Sequence, residues 1–258
     1  MTDRQPTLFV GHGNPMNALE RSTYTDAWRH LGASLPRPRA VLCISAHWYV
    51  RATMVTAMAA PRTIHDFGGF PPELFEVQYR APGSPALAKQ VRDLLAPLDV
   101  GLDETWGLDH GTWSVLVHMF PDADVPVVQL SLDRSQPASY HYRLGATLAP
   151  LSDDGVLVIG SGNVVHNLEA YAWDGHRTDP YDWAVRFDGE VRALLDNAVH
   201  DPLVDYERMG PDARLAIPTP DHFLPLLYVI AAGKGRSVSY PVQGIEGGSL
   251  SMLAVRLT

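Results

Sequence analysis

Val156-Leu157-Val158-Ile159-Gly160-Ser161-Gly162-Asn163-Val164-Val165-His166-Asn167 decides the fold class. Four branched apolar residues ending in Gly-Ser-Gly read as a strand covered on both faces, then a tight turn that presents a histidine. A dinucleotide fingerprint needs a third glycine where Val165 stands, so the signal for a nucleotide is weak. Buried strands ending in small-residue turns belong to α/β sheets, which gather their ligands at one edge.

Further apolar runs at Thr7–Val10, Ala40–Ser45, Thr53–Ala57, Val125–Leu130, Gly155–Ile159, Ser237–Val242 and Ser249–Leu257 read as the other strands. Between them, Ser84-Pro85 opens a helix whose apolar residues are Leu87, Val91, Leu94, Leu95 and Leu98. Asp182 to Val199 is a second, with Phe187, Val191, Leu194, Leu195 and Ala198 on one stripe. Tyr24–Leu31, Thr112–Met119, Tyr140–Leu148 and Phe223–Ala232 are shorter helical stretches. Strands alternating with helices predict an α/β fold, with a central mixed, mostly parallel β-sheet flanked by helices on both faces. Ala40–Ser45 and Thr53–Ala57 are close enough to be expected as a hairpin. Prolines and glycines are dispersed, with no linker, so residues 1–258 are expected to form a single catalytic domain. Thr63 to Pro85 lacks periodicity and is expected to border the active-site pocket.

The net charge of -9 and the lack of Lys/Arg clusters exclude a nucleic-acid surface. The one cysteine, Cys43, lies inside an apolar run and packs as a small hydrophobe. No basic leader with an apolar stretch opens the sequence and no run of 18 apolar residues occurs, so a cytoplasmic protein without a membrane partner is expected.

Four histidines sit just past apolar runs, in short loops of small residues: His12 between Gly11 and Gly13, His47 after Ser45-Ala46, His166 after the Gly160 turn, and His222 after Pro220-Asp221. Imidazole is the commonest neutral metal ligand near pH 7, and loops at strand ends bring distant side chains to one point, so the chain reads as a metalloenzyme. Asp221 is either a helix N-cap or the carboxylate that orients His222. His110 precedes a helix for which Thr112 would be the N-cap, and is placed to donate to an anionic substrate. His30, His118, His141, His176 and His200 lack glycine turns and read as structural or solvated, with His65 intermediate.

Gly11-His12-Gly13-Asn14-Pro15-Met16, Ile44-Ser45-Ala46-His47-Trp48, Asp66-Phe67-Gly68-Gly69-Phe70-Pro71, Ala81-Pro82-Gly83-Ser84-Pro85, Asp109-His110-Gly111-Thr112-Trp113, Gly160 to Leu168 and Pro220-Asp221-His222-Phe223-Leu224-Pro225 together resemble the class III extradiol ring-cleavage dioxygenases, in the DOPA extradiol dioxygenase-like branch. The motifs keep the family's order over most of the chain. The resemblance implies a metal held by His12, His47 and His222, His166 as acid and base, and His110 as the second histidine at the substrate. Gly11, Asn14 and Gly68 depart from the family's usual residues and bear on the substrate pocket.

The function implied is insertion of O2 into a catechol ring, with DOPA or caffeate as examples, giving a ring-opened semialdehyde. The partners are then a small aromatic diol and O2. One divalent metal per chain is expected, Fe(II) for activity, with Zn(II) possible in the isolated protein and His166 then a fourth ligand. Asp66, Phe67, Phe70, Trp48 and Trp113 are candidates for the pocket wall, since an aromatic substrate needs flat apolar surfaces with few polar anchors. Two rival readings are a zinc hydrolase on the same scaffold and a non-catalytic metal-binding module; retention of His110 and His166 disfavours the second. Self-association is left open by the sequence.

Overall fold

A computed structural model describes residues 4–173 and 179–258. His176 falls outside them. Strands are β1 (Thr7–Gly11), β2 (Ala40–Val50), β3 (Thr53–Thr56), β4 (Val100–Asp103), β5 (Val127–Asp133), β6 (Val156–Gly162), β7 (Val238–Val242), β8 (Ile245–Glu246), β9 (Leu250–Ser251) and β10 (Ala254–Leu257). An eight-stranded sheet runs β4-β3-β5-β2-β6-β1-β10-β7, and β8 and β9 form a separate ribbon. The centre is parallel, with β6 between β1 and β2 and β5 beyond β2. Antiparallel joins follow on each side, β3 on β5 and β10 on β1.

Alternation in the strands sorts the core onto two faces. Val41 and Cys43 of β2 point with Leu8, Leu157 and Ile159 toward Trp28 and Trp113, on the helices Thr23–Ser34 and His110–Met119. Leu42 and Ile44 point the other way with Phe9 and Val158, toward the helices Ala138–Thr147, Asp182–Asp196 and Leu224–Ala232. Every residue of Leu224–Ala232 is buried, as an apolar helix enclosed between sheet and neighbouring helix must be. No described helix is long and apolar enough to cross a membrane.

Local chemistry sets the helix starts. Ser22 and Thr25 form a reciprocal capping box, and Ser84 caps Pro85–Leu94 by accepting from Leu87 N. The cap of His110–Met119 is Asp109 rather than Thr112, because the helix begins earlier than the apolar pattern shows and Thr112 N donates to the Asp109 side chain. Likewise Asp221 caps no helix, since the helix begins at Leu224 with Phe223 ahead of it and no side-chain cap.

The expected hairpin of β2 and β3 is corrected. Only Arg51-Ala52 separates them, yet β5 lies between them in the sheet. Ser131 of β5 replaces the missing hairpin bonds, with its hydroxyl accepting from Met54 N at 2.8 Å and donating to Ala52 O at 2.8 Å. Ser249–Leu257, expected as one strand, breaks into β9 and β10. β4 is a short strand that carries too few apolar residues to stand out in sequence.

Two features of the sheet shape its C-terminal edge. In β2, Ile44 pairs with Leu130 and Tyr49 with Leu132, so the chain from Ser45 to Trp48 arches out of the ladder. At the end of β6, a Cβ on Gly162 would lie 2.1 Å from His222 O, and the next residue, Asn163, donates its N–H to that carbonyl at 2.9 Å. Only glycine admits the His222 segment this closely. Gly162→Ala is therefore expected to lower stability by about 1–3 kcal/mol, as overpacking does, and to weaken metal binding with it. Chemical denaturation and metal titration check this; an unchanged midpoint would show that the contact is not tight.

Candidate metal centre

His12 follows β1, His47 rides the arch of β2, and His222 lies in the turn before Leu224–Ala232. His166 comes four residues after β6, its segment paired with Leu250 in an isolated bridge and its N–H bound to Ala216 O at 2.8 Å, with no helix between. All four reach the edge where the parallel strands end, the position at which α/β sheets bind ligands.

The partners of each imidazole fix its tautomer. Ser161 donates its hydroxyl proton to Gly111 O, so its Oγ accepts from His12 Nδ1 at 3.0 Å and the His12 Nε2 is left with a lone pair. His222 Nδ1 lies 2.5 Å from Asp221 Oδ2, and the His222 Nε2 is buried with no partner. His47 Nδ1 lies 3.3 Å from Asp66 Oδ2, and its Nε2 faces His12 Nε2 at 3.1 Å. Three ring nitrogens that are acceptors by this logic thus face one another, and ligand atoms of His12, His47 and His222 all lie within 4.8 Å. Buried acceptors set against one another repel unless a cation sits among them, so the donor set fits a divalent metal.

Electrostatics agree with that assignment. Burial, reinforced by His222, His110 and His166, holds the His12 pKa well below its ordinary 6.5. Burial and the surrounding imidazoles do the same to His47. Both rings are therefore neutral, the form that ligates. Burial raises Asp221, but its hydrogen bond and electrostatic attraction to the His222 imidazole outweigh this and bring it to about 2. Asp66 is likewise lowered, with His110 overcoming burial, so both orienting carboxylates are ionised acceptors.

His166 falls outside the ligand group. Its ring stacks on His222, with centroids 3.4 Å apart and planes 5° from parallel. Burial, then His222 and His110, lower its pKa to about 2, against a smaller opposing effect of Asp221. The candidate ligand group holds His12, His47 and His222, and the stacked ring of His166 lies beside it.

His110 stands beside His47, with ring centroids 3.9 Å apart. Asp66 serves both: its Oδ2 lies 3.0 Å from His110 Nδ1, and its Oδ1 accepts from His110 N at 2.8 Å. A second possible metal group, His47, Asp66 and His110, has this same carboxylate at its centre. His47 turns Nδ1 to Asp66 and Nε2 to His12, so Asp66 acts as an orienting partner, behind the ligands rather than on the substrate wall. Below it, Asp109 accepts from Ser45 Oγ at 2.7 Å and from Gln129 Nε2 at 2.7 Å, tying the start of the His110 helix to β2 and β5.

A cavity of about 290 Å³ opens over these histidines, walled by Phe67, Gly68, Phe70, Leu168, Tyr171 and Trp173. Phe67 and Phe70 come from the Thr63–Pro85 loop, which borders the pocket as expected. Trp48 and Trp113 are not on this wall. Trp48 is buried and stacked on Trp106, and Trp113 is fully buried, donating its indole N–H to Ile64 O at 2.8 Å. His65 donates from Nε2 to Val77 O at 3.0 Å, in a structural role. A wider hollow of about 480 Å³ beside Tyr49, Arg134 and Tyr206 gathers no histidine. His30, His118, His141 and His200 are each bound to a backbone carbonyl or tyrosine hydroxyl, as expected of structural histidines.

Ser161 and the Leu168–Trp173 wall escaped the sequence reading. Ser161 was in view only as a turn residue, and the aromatic pair Tyr171 and Trp173 carries no periodicity. Proximity of both to His166 is the signal that marks them.

A sheet-edge centre of three histidines, with two more beside an aromatic pocket, defines a metal-dependent enzyme of small aromatic compounds. Residues 10–249 match the family described as the catalytic LigB subunit of aromatic ring-opening dioxygenase. The chain is 53% identical over 98% of its length to the 4,5-DOPA dioxygenase extradiol of Escherichia coli (strain K12), covering 95% of that protein. It is 38% identical to the protein of the same name from Beta vulgaris, over 98% of this chain and 96% of that one. The crystal structure of uncharacterized protein JW3007 from Escherichia coli K12 superposes with a TM-score of 0.86 at 48% identity, covering 99% of this chain and all of the other. The chain belongs to the class III extradiol ring-cleavage dioxygenases, in the DOPA extradiol-like branch, and is an extradiol dioxygenase.

Two outcomes follow from the site. Ser161→Ala removes the acceptor that fixes His12, and is expected to weaken metal binding about 10- to 100-fold with the fold retained, as read by equilibrium dialysis; unchanged affinity would contradict the tautomer assignment. In the metal-free protein, His12, His47 and His166 stay neutral where the unfolded chain protonates them, so unfolding takes up protons below the ordinary value of 6.5. Stability of the metal-free protein is expected to fall steadily as pH drops from 6.5, measured by denaturation at stepped pH; a flat profile down to pH 5 would contradict it.

Proposed function

We propose that this chain catalyses extradiol cleavage of a catechol of the DOPA type, in the manner named for its relatives, with Fe(II) at His12, His47 and His222. The observation that carries this is the convergence of His12, His47 and His222 at the floor of a pocket that also presents His110 and His166. Ligands at residues 12 and 222 come from nearly opposite ends of the sequence, which supports reading the whole chain as one catalytic unit. A redox-active metal there supplies the one-electron chemistry between dioxygen and catechol that zinc does not provide.

The protein's own residues account for the rest. Phe67 and Phe70, packed edge to face at 5.4 Å, give the flat apolar surface that orients the ring and excludes water. His166, neutral because burial depresses its pKa, takes the proton released when a catechol oxygen binds, and returns it during ring opening. Its stacking on His222 supports that role, since it sets a proton acceptor beside the proposed metal ligand. His110, oriented through Asp66, faces the same cavity and hydrogen-bonds the substrate oxygen on which negative charge builds.

The test compares His166→Ala with the wild type, both loaded anaerobically with Fe(II). Metal content is expected to be nearly equal, while oxygen uptake with DOPA falls about a hundredfold or more, as loss of a general acid-base group does. Loss of metal in the variant would make His166 a ligand. Absence of oxygen uptake by the metal-loaded wild type on any catechol would overturn the substrate reading.

A further inference from the structure

Apart from its histidines, the pocket presents few polar side chains among the described residues: Asn14, Tyr171 and the indole of Trp173, whose N–H is bound to Leu168 O at 3.2 Å. Asn14 and Tyr171 are tied to one another and to a carboxylate. Asn14 Oδ1 accepts from Met16 N at 2.9 Å, which leaves its amide nitrogen to donate to the Tyr171 hydroxyl. That hydroxyl lies 3.5 Å from Glu246 Oε1, toward which its proton points. A phenol oxygen has one proton and two lone pairs, so one lone pair remains for a donor in the pocket.

Glu246 gives this wall its sign. Tyr171 and Asn17 approach the carboxylate, yet its Oε2 is buried and has no hydrogen-bond partner. Burial and the nearby charge of Glu20 raise its pKa, so its ionised form is disfavoured where it stands. A positive charge close by relieves that penalty. No lysine or arginine is among the described residues lining the cavity. The rings of Tyr171 and Trp173, with centroids 4.7 Å apart, add faces that attract a cation. The wall is also held in place: Ala172 N donates to Gly247 O at 3.0 Å, and a Cβ on Gly247, whose φ is +54°, would lie 2.2 Å from the Tyr171 ring.

We propose that Tyr171 and Asn14, backed by Glu246, form a subsite for a protonated amino group on the side chain of the catechol substrate. The subsite rests on the catechol-cleaving reading above. Tyr171 makes the contact, and Glu246 is a positioning residue that acts through it. Selection for such an amine then comes from this wall, whereas ring binding comes from the histidines and phenylalanines.

The test measures anaerobic dissociation constants by calorimetry and kcat/KM for the Fe(II)-loaded wild type, Glu246→Gln and Tyr171→Phe. The substrates are dopamine (cationic), 4-methylcatechol (neutral) and protocatechuate (anionic). Wild type is expected to prefer dopamine to 4-methylcatechol, and that ratio to fall about tenfold in each variant, the size of one lost charge-assisted hydrogen bond, through KM more than kcat. If the variants lose all three substrates alike, or keep the wild-type ratio while still cleaving them, the subsite is overturned and the reaction stands. If the wild type neither binds nor cleaves any catechol, the reading of the reaction fails and the subsite with it.

Discussion

Everything at this centre depends on fixing which nitrogen of each histidine carries the proton. A neutral imidazole that is free to tautomerise presents a lone pair at either nitrogen; one whose Nδ1 is held by an acceptor presents it only at Nε2. Here the acceptors are Ser161 for His12, Asp221 for His222 and Asp66 for His47. They differ in kind, a hydroxyl and two carboxylates, but act alike. Ser161 is an acceptor only because its own proton is committed to Gly111 O, so the tautomer of His12 is set by a carbonyl at the start of the His110 helix.

The fold exists around that requirement. Three parallel strands end together, and each end is modified to deliver a histidine or its partner. β1 stops at Gly11, β2 arches between Ile44 and Tyr49, and β6 ends in Gly162 so that the His222 turn can dock. Asp66 extends the same logic from ligand to substrate, because one carboxylate orients both His47 and His110. A displacement of the loop that carries it is therefore felt at the metal and at the substrate together.

Much of this was legible in the chain. The β6 run and its turn pointed to an α/β sheet, and histidines after apolar runs marked the side chains that converge at its edge, because both signals are local. What was misread depended on distant partners. The β2–β3 hairpin failed because β5 enters between strands adjacent in sequence, with Ser131 supplying bonds no local pattern shows. Asp109, not Thr112, caps its helix because the polar start of that helix hides its first turn. Trp48 and Trp113 were expected at the substrate on their ring type alone, but an aromatic at a strand end or in a helix packs inward as readily as toward a ligand. The Tyr171 wall went unread because only the chain fold brings it against Asn14 and Glu246.

In the proposed reading the histidines handle metal and protons, the phenylalanines hold the ring, and the Tyr171 wall selects an amine on its side chain. The most direct test of the account is iron K-edge X-ray absorption of the anaerobically loaded protein, in which outer-shell scattering counts imidazoles. Three imidazoles on one iron, with the count kept when a catechol is added, is the result predicted. Four imidazoles, or a carboxylate in place of one, would contradict the central claim that His12, His47 and His222 alone hold the metal and leave His166 free.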